Sequence, residues 1–213
     1  MKELGRRLPV YLVVDTSGSM AGEKIESVRQ GIRALLMDLR GDPTAIETAY
    51  MSVITFDSDA RQSSLLTDLM LFKEPVLDAN GTTALGSALK LLIECMDREV
   101  VKSSSSRKGD WKPLIFLMTD GQPTDSWERA AEDLKKSRPA NLIACGIGSD
   151  ADVNLLKKIT ETVVKMENIQ PDAFKAFFKW VSSSIKATSQ SVNTQGNAAV
   201  NIPPPPPVIQ IVP

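Results

Sequence analysis

Apolar positions along this chain switch between two periods. The run Val10-Tyr11-Leu12-Val13-Val14 is continuous and rich in β-branched residues, whereas Ile25, Val28, Ile32, Leu35, Leu36 and Leu39 recur at the spacing of one helix face. Together they predict a buried strand that feeds an amphipathic helix. The alternation then repeats. Residues 50–56 read as a second strand, and residues 60–66 as a shorter third, joined across Asp57-Ser58-Asp59. So short a connection permits a hairpin and makes the third strand an antiparallel edge. Leu85, Ala88, Leu89, Leu92 and Met96 mark the next helix, followed by a strand over 113–118, a helix over 126–136 and a strand over 141–147. Leu155, Leu156 and Ile159 give a short helix, 163–166 a last strand, and Phe174, Phe177, Phe178, Val181 and Ile185 a final helix whose aromatic stripe reads as core. Strands alternating with helices predict an α/β fold, doubly wound, with a mostly parallel sheet and helices on both faces.

Punctuation between these segments is of two kinds. Arg40-Gly41-Asp42-Pro43 stops the first helix, and the Ser-rich stretch 102–108 reads as an exposed, mobile loop. After about residue 189 the composition turns polar, and Pro203 to Pro207 is an unbroken proline run that favours polyproline II. That run is either a ligand for an aromatic groove or a stiff tail, and the tail reading is preferred. The closing Val208-Ile209-Gln210-Ile211-Val212 has the composition to add to a sheet edge.

Composition narrows the function classes. At 213 residues and 42% apolar content, the chain has material for one full core plus an appendage. Lys and Arg number 25 against 26 Asp and Glu, a net charge of −1 that offers no electrostatic footprint for nucleic acid. The absence of histidine removes Ser-His triads and His-ligated metals. Cys95 and Cys145 lie in apolar segments without a Cys-x-x-Cys motif and read as small buried hydrophobes of a reducing compartment. No signal peptide and no bilayer-length apolar run is visible, so a soluble, cytoplasmic protein without membrane attachment is expected.

The candidate chemistry sits in three strand-exit loops. Asp15-Thr16-Ser17-Gly18-Ser19 offers a carboxylate and two hydroxyls at alternating positions, Thr82 and Thr83 offer further hydroxyls, and Asp120 a second carboxylate. Taken alone, the first loop reads as a helix-capping turn. In a parallel sheet, however, all three loops share the carboxyl edge where ligands of open α/β sheets bind. Two carboxylates and three hydroxyls, one of the two threonines being counted, suit a hard divalent cation. Hydroxyls neutralise little of its charge, so such a site stays electrophilic and is incomplete without an acidic oxygen from outside. The N-terminus of the helix behind Ser19 would favour the incoming anion.

The segments Asp15-Thr16-Ser17-Gly18-Ser19, Gly81-Thr82-Thr83-Ala84-Leu85-Gly86 and Thr119-Asp120-Gly121 resemble, in this order, the metal-ion-dependent adhesion site of von Willebrand factor A domains. The resemblance covers about residues 6–188 and leaves 189–213 as a tail. It implies a six-stranded sheet with one antiparallel edge strand. It also implies Mg²⁺ (with Mn²⁺ or Ca²⁺ as alternatives) held by Ser17, Ser19 and Thr83, with Asp15 and Asp120 acting partly through water. A partner protein's Glu or Asp would complete the octahedron. Two glycines commonly precede the threonine ligand in this family; here Thr82 follows Gly81 directly, and register with Ala84-Leu85-Gly86 favours Thr83 over Thr82. As a whole the chain resembles the bacterial TerY-type proteins of tellurite-resistance and stress-response clusters, which implies a kinase or phosphatase of the same system as partner.

Other readings compete with a non-catalytic binding module. A phosphoryl-transfer enzyme with Asp15 as nucleophile would need a second aspartate two residues on as general acid, where this chain has Ser17. Gly146-Ile147-Gly148 lacks the third glycine of a dinucleotide fingerprint, and no phosphate-loop motif occurs. A scaffold recruiting through the proline tail is the third reading. Asp57 and Asp59 read as turn formers, Asp150 as the cap of the helix at Val153, Asp125 as the cap of the helix that follows it, and Trp111 and Trp127 as buried anchors.

Overall fold

In the computed structural model, residues 6–105, 108–137, 140–195 and 202–212 are described. Parts of the Ser-rich loop (106 and 107) and of the polar stretch before the proline run (196–201) lie outside them.

The sheet is built on β1 (Leu8–Asp15), all eight residues of which are buried. Its alternate side chains serve two cores, Leu8, Val10, Leu12 and Val14 on one face and Tyr11 and Val13 on the other, as the period of a strand requires. α1 (Glu23–Leu39) crosses to β2 (Ala49–Phe56), which pairs parallel with β1 from Leu8↔Ala49 to Asp15↔Phe56. Between them lies a short helix absent from the sequence pattern, α2 (Pro43–Thr48). Asp42 caps it through the Ala45 amide, with Pro43 in its first turn, so the Asp-Pro pair that ends one helix also starts another. β3 (Ala60–Asp68) returns antiparallel to β2, as the hairpin spacing predicts.

α3 (Leu85–Glu99) then crosses to β4 (Leu114–Thr119) on the other side of β1. α4 (Glu128–Ser137), β5 (Asn141–Ile147), α5 (Val153–Ile159) and β6 (Thr162–Met166) extend the parallel sheet. α6 (Pro171–Gln195) packs across α1 and runs past residue 188. The six expected strands are joined by a seventh, β7 (Gln210–Ile211), antiparallel to β6, so the order is β3-β2-β1-β4-β5-β6-β7 with both edges antiparallel.

The proline run lies against its own domain. The Trp180 indole N–H donates to the Pro203 carbonyl at 2.7 Å, Ile209 is buried, and the Val212 amide donates to the Val163 carbonyl at 2.9 Å. No helix among the described residues is long and apolar enough to cross a membrane.

α1 and α6 approach so closely that Gly31 is dictated by sterics. A Cβ there would lie 2.0 Å from the Phe178 ring, and Phe178 is itself fully buried. Gly31→Ala gains about 1 kcal/mol of helix propensity but overpacks this contact, at a cost of about 1–3 kcal/mol or more. Denaturant melts should show net destabilisation, with Phe178→Leu in the Gly31→Ala background recovering most of it.

Candidate metal centre

β1 and β4 are parallel neighbours, with Val14 opposite Met118, so Asp15 and Thr119 end side by side at the carboxyl edge. The chain leaves β1 toward β2 and leaves β4 toward β5, on opposite sides. Their exit loops therefore part at this point of the sheet and leave a crevice.

Asp15 has no solvent exposure. Its Oδ1 accepts from the Ser17 amide at 2.8 Å, and its Oδ2 accepts from the Thr119 hydroxyl. Burial pushes the Asp15 carboxyl above the usual aspartate range; the hydrogen bonds from Ser17 and Thr119 oppose this, and the charge of Asp120 adds to it. A buried anion raised in this way is one whose charged form a nearby cation would stabilise.

A single 3₁₀ turn, Gly18–Met20, follows. It leaves the Ser17 and Ser19 hydroxyls 3.0 Å apart, and Ser19 Oγ donates to Asp120 Oδ1 at 2.6 Å. Two backbone bonds clamp this loop to the next one: Gly18 N to Gly81 O at 3.0 Å, and Asn80 N to Thr16 O at 2.9 Å. Gly81 has φ +70°, and a Cβ there would sit 2.4 Å from Ser58 Oγ, so this crossing needs glycine on two counts.

Thr82 and Thr83 part company at the crossing. Thr82 is exposed, with Oγ1 donating to Ser58 Oγ at 3.3 Å. Thr83 is buried, its amide donating to Thr124 Oγ1 at 3.2 Å and its carbonyl accepting from Thr124 N at 2.9 Å. A Cβ on Gly121 would lie 3.0 Å from Thr83 Oγ1 and 3.6 Å from Ser19 Oγ. Gly121 thus keeps open a small space beside both hydroxyls and next to Asp120. Ser19, Thr83 and Asp120 therefore lie at this space, Ser17 touches Ser19 and Asp15 is linked through Ser17 and Thr119, whereas Thr82 turns to Ser58. Every donor is oxygen, as a hard cation prefers. No group of three or more His, Cys, Asp or Glu side chains suited to a metal occurs among the described residues.

Several functional contacts were not legible in the pattern. Lys24 pairs with Asp120 Oδ2 and donates to the Ser19 carbonyl at 3.2 Å. The first helix, expected over 24–39, begins at Glu23, after Gly22 at φ +81°, and no side chain caps it. Asp125 accepts from the Gly86 and Ser87 amides, each at 2.8 Å, and so caps α3 rather than the helix it precedes. Asp152, not Asp150, caps α5 through Leu155 N at 3.0 Å. Asp57 is a turn former, accepting from Asp59 N at 3.3 Å while pairing with Arg61. Trp127 is buried, and Trp111 is half-buried with the Arg6 guanidinium 3.4 Å from its ring centroid.

The model of the von Willebrand factor type A domain matches residues 10–179, most of the chain. The chain belongs to that family. Such domains are generally metal-dependent protein-interaction modules that bind a divalent metal at the adhesion-site motif. Among curated proteins it is similar to the human inter-alpha-trypsin inhibitor heavy chain H6, at 24% identity over 165 residues, covering 71% of this chain and 12% of that one. It is likewise similar to the Mus musculus inter-alpha-trypsin inhibitor heavy chain 4, at 30% identity over 167 residues, covering 70% and 16%. The chain spans less than a fifth of the length of these relatives. Among solved structures, the von Willebrand factor type A protein from Catenulispora acidiphila aligns with TM-score 0.64 and 19% identity, over 86% of this chain and 43% of that one. Proximal thread matrix protein 1 from the mussel byssus, solved with a zinc-occupied adhesion-site motif, aligns with TM-score 0.61 and 18% identity, over 86% and 48%. These structural likenesses show the fold.

Two substitutions separate the scaffold of this von Willebrand A domain from its site. Asp125→Ala removes the α3 cap and should cost about 0.5–2 kcal/mol in thermal or denaturant unfolding. Asp15→Asn keeps the shape and an acceptor for Ser17 N while removing a desolvated charge. In chelator it should melt at or above the wild-type temperature. It should lose the Mg²⁺-dependent rise, which for wild type reaches about 2.7 kcal/mol at a hundred times Kd.

Proposed function

We propose that this von Willebrand A domain, residues 1–188, is a non-catalytic protein-binding module that captures a partner's acidic side chain through a divalent cation. The observation that supports the reading is the contact of the Ser17 and Ser19 hydroxyls with each other and of Ser19 with Asp120, with Thr83 Oγ1 beside the same Gly121 space, next to a fully buried Asp15. Asp15 and Asp120 supply the negative charge, and Ser17, Ser19 and Thr83 supply neutral donors that leave much of a cation's charge uncompensated. The bound ion would offer a Lewis-acidic position to a carboxylate oxygen of the partner. Mg²⁺ fits an all-oxygen set of this size, with Mn²⁺ or Ca²⁺ as alternatives; the zinc-occupied motif of the mussel protein supports divalent occupancy of this kind of site. Asp15 is committed on both oxygens to Ser17 and Thr119, and Ser17 stands where a phosphoryl-transfer enzyme would carry its general acid, which favours binding over catalysis.

The setting we propose is bacterial and cytoplasmic, in a tellurite-resistance or stress-response system of the TerY type. A kinase or phosphatase of that system is the partner, with no role for nucleic acid or membrane. Affinity capture from the native lysate with Mg²⁺, with chelator, and with Asp15→Ala and Asp120→Ala tests the reading. A partner retained by wild type in Mg²⁺, and reduced at least about tenfold by chelator and by either substitution, is the expected result. A partner indifferent to all three moves recognition to another face or to residues 189–213.

A further inference from the structure

The metal-centre reading leaves Lys24 unexplained. It lies in the first turn of α1, where the partial positive charge of the helix end disfavours a cation. It is nevertheless directed into the site: Nζ pairs with Asp120 Oδ2 and donates to the Ser19 carbonyl at 3.2 Å. Both acceptors belong to residues of the donor set. The pair is not a surface ion pair of negligible consequence, because the Asp120 side chain is 1% exposed and that of Lys24 23%. Asp120 divides its oxygens between two roles, Oδ1 toward the Ser19 hydroxyl and Oδ2 toward Lys24.

Charge counting gives the consequence. Asp15 and Asp120 contribute −2, and Lys24 returns +1, leaving the cluster at −1. A divalent cation then brings it to +1, and one carboxylate from outside brings it to zero. Without Lys24 the loaded cluster would already be neutral and would have less electrostatic reason to recruit an acid.

We infer that Lys24 is the site's tethered counter-cation: it lowers the intrinsic affinity for the metal and keeps the metal-loaded site cationic, so that a single carboxylate is the ligand that balances it. Lys24 acts through Asp120 and is a positioning residue. The inference rests on the metal-centre reading above.

The test is calorimetric titration of the full chain with Mn²⁺ alone, with melting temperatures in chelator and in saturating Mn²⁺. Lys24→Met removes the charge and keeps the stem. Lys24→Gln removes the charge but keeps a donor for Asp120, so it reports even where Lys24→Met folds poorly. Both variants should bind Mn²⁺ about tenfold tighter or more, because a like charge within a few ångströms of the ion is gone. Both should melt lower in chelator and show a larger Mn²⁺-induced rise, and Lys24→Arg should keep wild-type affinity. Unchanged or weaker Mn²⁺ binding in both uncharged variants, with wild type binding normally, would reduce Lys24 to a structural ion pair and overturn the inference. Failure of wild type itself to bind Mn²⁺ would instead overturn the metal-centre reading, and this inference with it.

Discussion

Asp15 closes a strand whose eight residues are all buried, and its carboxylate accepts from the Ser17 amide and the Thr119 hydroxyl. Its unfavourable desolvation is tolerated because β1 and β4 are adjacent and parallel, which sets Thr119 beside it. The same pairing places Asp120 one residue further, across from the Ser17-Gly18-Ser19 turn. Should the register of β1 against β4 slip by one residue, Asp15 would lose Thr119 and the core faces of β1 would exchange. The hydrophobic pattern of β1 thus fixes the register of this one pair, while the order of the strands sets which neighbour Asp15 meets.

Around this centre the loops are hydrogen-bonded to one another. Gly81 bonds the first loop by its carbonyl, Thr83 bonds the Thr124 loop through both backbone groups, and Asp125 in that same loop caps α3, the helix that opens just after Thr83. Residues far apart in sequence thereby hold the hydroxyls in place before any ligand arrives, which lowers the ordering cost of binding. Charge is distributed with comparable economy: two carboxylates, one of them partnered by Lys24, against a formal net charge of −1 for the whole chain.

The C-terminal segment also takes part in the fold. Ile209 is buried, Gln210 and Ile211 pair with Lys165 and Val164, and Pro203 accepts from Trp180, so the edge of β6 is covered by the chain's own residues. Covering a parallel sheet's edge in this way removes a row of unpaired backbone groups that would otherwise invite other strands.

The α/β alternation, the hairpin at Asp57–Asp59 and the oxygen-bearing exit loops of β1 and β4 were legible in the sequence, because strand and helix periods and loop composition are local properties; Thr83 instead arrives on a segment that runs back from the opposite edge, where antiparallel β3 ends. Local composition also marked Asp15, Ser17, Ser19 and Asp120 as oxygen-bearing side chains just after two of the strands. It did not show where side chains go once loops cross. Thr82 turns to Ser58 while Thr83 faces the space kept by Gly121, because the Gly81 backbone crosses against Gly18. Lys24 reaches Asp120 although 96 positions separate them in the chain, and Asp125 caps a helix that precedes it by 39 residues. The sequence by itself determined which segments form strands and which residues can donate oxygen; the tertiary structure alone decided which of those donors meet, because convergence depends on strand order and on glycine-permitted loop crossings that no local pattern encodes.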